Sequence, residues 1–437
     1  MKVNLSRTHR HNLRRRLIGI AGGTLLNALS ILLLQILALV ALAPSDFGRF
    51  SALYLLSALS TSVLLSVLCE AWQRQTPHAG WPEYGATLFW LSLASGALAL
   101  ILCQLIPGFR DISYLSAVAV GLSAYRTGAR YYALQQRSLI GVLPGDLFSV
   151  LVLLGGWIVF IFVDSVTVST VNIVFLWSFS AIVSALASKP LHSIRIRAVR
   201  WWMKRHRMEI RTLLADSIIL DASAIGTPYV LLPILGVAGF GIYRGLSNIA
   251  GPVKLILFPL RPLFSAYSLA RFTRARVLLA LGAVSAILGG LAYTCLWLLS
   301  LWGVELGTLT ALAAYAPLAS IFVGATLLNG VFYLIGRTHF SRRRLLSGRV
   351  VTSLIGIVLP VTGALLGGTG GAMLGVTLGT SAGAFVWLAL ALMEAQVAAN
   401  TATVRIGLPP ETIPPSARPR FHGERGPSPT VPAEPRE

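Results

Sequence analysis

Apolar runs of some fifteen to twenty-seven residues alternate with short polar segments along most of the chain. A helix needs roughly 20 apolar residues to cross about 30 Å of hydrocarbon. By that measure twelve spans are predicted, at about 17–43, 50–71, 85–106, 112–126, 141–163, 170–187, 213–235, 240–263, 277–299, 309–335, 350–367 and 371–393. The fourth is the weakest, because Arg126 and Arg130 cut its apolar run short. The first run follows RTHRHNLRRR and imitates a secretory signal, with Ala-Leu-Ala at 41–43 as a mock cleavage site. Its length, and Pro44 immediately beyond, assign it to a membrane helix instead.

Composition agrees. With 55% hydrophobic and 12% charged residues and a mean hydropathy of +0.74, the chain has too little polar sequence to cover a water-soluble globule of this size. The net charge of +21 does not point to nucleic acid, because the cations sit in clusters between apolar runs. With the N-terminus cytoplasmic, 31 of the 36 Lys and Arg fall in inner segments, and only Arg49 and Arg110 fall in outer loops. That asymmetry sets orientation and parity together, and puts both termini in the cytoplasm. The predicted organisation is a basic N-terminus (1–16), a six-helix lobe (17–187), a basic linker (188–212), a second six-helix lobe (213–393) and a Pro-rich tail (394–437). The tail carries nine prolines from Pro409 to Pro435 and reads as disordered. Arginine greatly outnumbers lysine, which occurs only at 2, 189, 204 and 254, as GC-rich bacterial coding would produce.

Cys69, Cys103 and Cys295 have no paired spacing, and all seven histidines fall outside the apolar spans, as interfacial and loop residues. Neither a disulfide framework nor a metal site is expected. No G-x-x-x-x-G-K-[ST] segment occurs, so this chain is not expected to consume ATP. The expectation is a transporter without a cofactor rather than an enzyme.

A short pattern recurs. LAPSDFGRF near 42 and LGVAGFGIY near 235 both fit L-x-x-x-x-F-G-x-[FY], so Phe47 and Gly48 correspond to Phe240 and Gly241. The copies join spans one and two and spans seven and eight. RSLIGVL at 137 and RLLSGRV at 344 echo each other in the same way ahead of spans five and eleven. Duplicated halves of six spans both start on the cytoplasmic side, and a pseudo-twofold axis along the membrane normal should relate them. A glycine in such a loop allows a tight turn, and the aromatic residues suit the headgroup level.

On LLNALSILLLQILALVALAPSDFGRFSALYLLSALSTSVLLS at 25–66, on LLPILGVAGFGIYRGLSNIAGPVKLILFPLRP at 231–262, and on six plus six spans, the chain resembles the Wzx-type polysaccharide flippases of the multidrug, oligosaccharidyl-lipid and polysaccharide exporter superfamily. The resemblance implies two six-helix lobes around a central cavity. It also implies movement of an undecaprenyl-pyrophosphate-linked glycan between leaflets of the bacterial inner membrane, with other polysaccharide-assembly membrane proteins as possible partners.

Charges inside spans cost about 2.5–3.5 kcal/mol each and so mark pathways or pairs. The first lobe offers little besides Glu70 and Asp146 near span ends and Asn27 and Gln35 in span one. Spans seven and eight hold Asp216, Asp221, Arg244, Lys254 and Arg261 together with Pro228, Pro233, Pro252, Pro259 and Pro262. In an antiparallel pair turning near Ala238, Asp221 comes level with Lys254, and Asp216 with Arg261. Charges and helix breaks coinciding in one hairpin nominate it as a transport site. Arg244, Lys254 and Arg261 would grip the pyrophosphate and acidic sugars, while Asp221 would tune Lys254 or bind a coupling sodium ion or proton. The alternative is that these groups neutralise one another between packed helices or snorkel to the interfaces. Arg126 and Arg130, with nearby tyrosines, either contact a lipid headgroup or anchor the interface, and the basic linker should attract anionic lipid.

Two other functions fit less well. A multidrug exporter of the same superfamily would share the architecture, but those exporters usually carry an acidic residue in the first span, which is missing here. A glycan polymerase or ligase usually needs a large outer loop or an acidic pair, whereas Asp46, Asp111, Asp164 and Glu305 are scattered singly over four short loops.

Overall fold

A computed structural model describes residues 7–73, 80–136, 142–162, 168–187, 194–255, 257 and 268–407. Eight helical segments among them are long and apolar enough to cross a membrane. Two of these are double. The segment Ala222–Leu255 breaks at Gly236, whose φ of 66° is open to a residue lacking Cβ, and Arg343–Val397 breaks at Gly367 and Gly368. Counting each as two and adding Ser113–Gln135 and Thr170–Leu186, which fall short in hydropathy or length, gives the twelve predicted helices.

Helix ends differ from expectation where polar residues find partners. The first helix begins at Arg7, inside the basic N-terminus, and the last runs on to Gly407, past the predicted end at Met393. Arg344 pairs with Glu394 beside that extension. The fourth span continues through Arg126 and Arg130 to Gln135, because both guanidiniums are held by Asp146 within the lobe. RSLIGVL lies mostly outside the described residues, as do the tail from 408 on and Arg261.

Within the first lobe, Trp81–Leu105 packs on Ser113–Gln135, which packs on Thr170–Leu186, and Leu143–Phe162 joins Thr170–Leu186 to Arg7–Ala41. In the second, Ala316–His339 is the hub between Ala275–Trp302 and Arg342–Gly407. The last two spans form a tight antiparallel pair. A Cβ at Gly363 would strike the Gly371 carbonyl and one at Gly371 the Gly363 carbonyl, while one at Gly375 would strike the carbonyl of Leu359.

The lobes meet chiefly through Pro44–Leu64 and Thr227–Ile249. Here the repeated loop explains itself. A Cβ on Gly48 would fall on the carbonyl oxygen of Val237, and a Cβ on Gly241 on that of Pro44. Pro44 precedes Gly48 by one helical turn, as Val237 precedes Gly241, so each copy receives the other's carbonyl at the same position. Reciprocity of this kind is what a twofold relation produces. The flanking Phe47 and Phe240 are fully buried beside the crossing. Close by, the Thr308 amide and hydroxyl both donate to the Leu42 carbonyl at 2.8 Å, tying the second lobe to the end of the first helix.

The linker contributes a short, strongly amphipathic helix, Ile196–Arg205, lying on Trp81–Leu105. Trp202 is buried and its Nε1 donates to the Val67 carbonyl at 2.9 Å. Val67 lies in a π turn, Leu65–Cys69, where the ladder is widened by one residue and a carbonyl is freed for an outside donor. His206 stacks on Trp202 with ring centroids 4.0 Å apart and is buried, not an exposed loop histidine.

Candidate functional site

Arg244, Ser247, Asn248, Gly251, Lys254 and Leu255 recur every three or four residues and so share one face of the eighth span. That face meets Ile31, Leu32 and Gln35 of the first span, and the two enclose a pocket of about 210 Å³ between the lobes. Among the described residues neither Arg244 nor Lys254 has an ion-pair or hydrogen-bond partner, and the Arg244 Nε is buried with none. The ionisable neighbours of Arg244 are the phenols of Tyr54, Tyr229 and Tyr243, and no carboxylate is among them. Lys254 is exposed and opens into the pocket.

The structure does not join Asp221 to Lys254. No ion pair links them among the described residues, and Asp221 lies near Ser62 of the second span. The cause is the π turn Ala222–Gly226 that follows Asp221. One extra residue in a turn rotates everything beyond it by about 100°, which carries Asp221 away from the eighth span and toward the first lobe. Asp216 lies on the preceding helix, Arg207–Asp221, without a described side chain, and its level with Arg261 falls outside the described residues.

Arg126 and Arg130 converge on a carboxylate that span-by-span reading passed over. Asp146, 1% exposed, accepts from the Arg126 guanidinium at 2.8 Å and from Arg130 Nε at 3.0 Å. Arg126 also donates to Ser149 at 3.0 Å and to the Asn27 side chain at 3.2 Å, and Arg130 to Thr24 at 3.5 Å. The arginines are only 13% and 16% exposed, so this is an internal network with one positive charge left over. Its sequence signal was present but split. Arg126 and Arg130 are one turn apart, Asp146 and Ser149 are one turn apart, and only the packing of spans one, four and five brings them together.

The network borders a second, larger pocket of about 410 Å³ inside the first lobe, whose lining includes Asn27, Ile31, Tyr54, Ser57, Arg126 and Trp177. Ile31 lines both pockets, and Tyr54 of the larger one lies near Gln35 of the smaller. One helix of the second lobe thus presents two unpaired cations against the first span, and a hydroxyl-rich chamber opens beside them. Such an arrangement can hold an anion with a polar uncharged extension.

Two lobes of six helices crossing at their first hairpins have a counterpart among solved structures. The lipid II flippase MurJ, in an inward closed conformation, matches with a TM-score of 0.56 at 12% identity, over 89% of this chain and 91% of that one. The fold is that of MurJ. A Vibrio cholerae MATE transporter, VcmN in a mutant form, aligns with a TM-score of 0.49 at 14% identity over 90% of this chain and 98% of its own. The eukaryotic MATE transporter AtDTX14 aligns at 0.42 and 14% identity over 88% and 98%. No protein-family profile and no curated protein matches the sequence. The likeness to MurJ runs through both lobes, so the whole described bundle, and not one half of it, has the MurJ arrangement.

Proposed function

We propose that this chain is a flippase of the bacterial inner membrane that carries a lipid-linked oligosaccharide, of the undecaprenyl-pyrophosphate kind, from the cytoplasmic to the outer leaflet for cell-surface polysaccharide assembly. One observation carries the reading: Arg244 and Lys254 lie unpartnered in a pocket between the lobes. A buried unpaired cation is costly, and within a bundle such groups face a pathway or a counter-ion. A pyrophosphate supplies that counter-ion, and guanidinium and ammonium groups both suit it. The MurJ fold supports a lipid-linked cargo, since the protein that shares it is a flippase for lipid II. Neither pocket has a carboxylate among its lining residues to meet an organic cation, the cargo of a drug exporter.

The lobes would alternate about the Gly48–Gly241 crossing, opening the pocket to one face of the membrane and then the other. In a strain lacking the gene, lipid-linked repeat units should accumulate on the cytoplasmic leaflet, and the wild-type gene should clear them. The charge reversal Lys254→Glu should insert normally and fail to clear them. Accumulation on the outer leaflet would point instead to a polymerase or ligase, and full clearance by the Lys254→Glu protein would remove the cationic pocket from the mechanism.

A further inference from the structure

The larger pocket has a chemistry of its own. Helix two presents Tyr54, Ser57 and Thr61 to it at turn spacing, and among the described residues the hydroxyls of Ser57 and Thr61 have no hydrogen-bond partner. Trp177 donates its Nε1 to Ser123 at 3.1 Å, and its ring lies 5.9 Å from that of Tyr54. The chamber therefore offers both aromatic surface and unpaired hydroxyls. No carboxylate is among its lining residues, and Asp146 beside it is held by two arginines.

A pyranose ring answers that description. Its C–H faces are apolar and lie against aromatic rings, and each of its hydroxyls both donates and accepts, as do those of Ser and Thr. The wall toward the cationic pocket includes Ile31, which lines both. A pyrophosphate held by Lys254 and Arg244 would have its sugar directed through that wall.

Resting on the function proposed above, we propose that the first-lobe pocket is a sugar subsite, in which Ser57, Thr61, Tyr54 and Trp177 hold the ring attached to the pyrophosphate. The selectivity of the protein then divides in two. The inter-lobe pocket takes the pyrophosphate shared by all such cargo, and the first-lobe pocket recognises the sugar that distinguishes one glycan from another.

The test uses full-length protein in nanodiscs and two kinds of probe, farnesyl pyrophosphate and farnesyl pyrophosphate bearing a single glucose or galactose, with affinity read by calorimetry. At least one sugar-bearing probe should bind about tenfold more tightly than the sugarless one, the gain expected of two net hydrogen bonds. Ser57→Ala with Thr61→Val should abolish that gain and leave the affinity for farnesyl pyrophosphate unchanged. Ser57→Thr with Thr61→Ser, which keeps both hydroxyls, should retain it. The subsite is refuted by a wild-type protein without the gain, by a gain that survives loss of both hydroxyls, or by equal loss in the hydroxyl-keeping variant. Failure of the underlying reading looks different: farnesyl pyrophosphate binding would then be indifferent to Lys254→Glu.

Discussion

At the residue scale, the distinction that matters is between charges that are paired and charges that are not. Asp146 is shared by two arginines, and removing it leaves two like charges buried a few ångströms apart. Breaking a buried pair from one side costs about 3–5 kcal/mol, so Asp146→Ala should lower the midpoint of thermal unfolding sharply in detergent, well beyond the change from Lys254→Ala, where no partner is lost. His206 tests the linker. Burial against Trp202 holds its imidazole below the ordinary value of 6.5, opposed by Glu209 and helped by Arg205. Because the unfolded chain binds that proton more readily, the stabilisation is complete above pH of about 6.5 and is lost as pH falls below it. The melting temperature should therefore drop between pH 7.5 and 5, and His206→Phe, which keeps the stack, should reduce the drop.

Among the helices, approach of backbones does what hydrophobic contrast does in water, since lipid is as apolar as the side chains. Gly48 and Gly241 let two helix ends from different lobes touch, and the atoms a Cβ would meet are main-chain carbonyls that no rotamer change can move. Either substitution to alanine should destabilise by about 1–3 kcal/mol, the usual cost of overpacking, and the two should be similar because the contact is reciprocal. Gly282 is the control. Nothing lies within 4 Å of its Cβ position, so Gly282→Ala in the middle of Ala275–Trp302 should be neutral or stabilising. Thermal unfolding of the three purified variants decides the matter. Both π turns, Leu65–Cys69 and Ala222–Gly226, lie in the helices that join the lobes, and each redirects a polar group, the Val67 carbonyl or the Asp221 carboxylate, toward another element.

For the molecule as a whole, the lobes touch at several places. They include the glycine crossing with Thr308 bonded to Leu42, the Tyr229 hydroxyl donating to the Ala52 carbonyl, and the hydrogen bond between the Ser66 and Ser217 hydroxyls. Transport by alternating access requires at least one of these to part. With Cys295 replaced by serine, and Cys69 and Cys103 buried, Ser66→Cys with Ser217→Cys should form a disulfide under oxidation. The oxidised protein should stop exporting and regain activity with reductant. Undiminished export by fully cross-linked protein would show that this end stays shut throughout the cycle.

The pattern of apolar runs was enough to determine twelve helices and their approximate limits, because the cost of bare backbone polar groups in hydrocarbon leaves a long apolar segment no other choice. It was also enough to single out Arg244 and Lys254, since a cation in such a segment stands out against its neighbours. The two loops of like sequence were equally visible, although their purpose was not. That Gly48 meets Gly241, that Asp146 gathers Arg126 and Arg130, and that Asp221 turns from Lys254 to Ser62 depended on contacts between segments far apart in the chain and on a one-residue change of helical register. Hydropathy carries no trace of either, because it records how each residue partitions and not which residue it will touch.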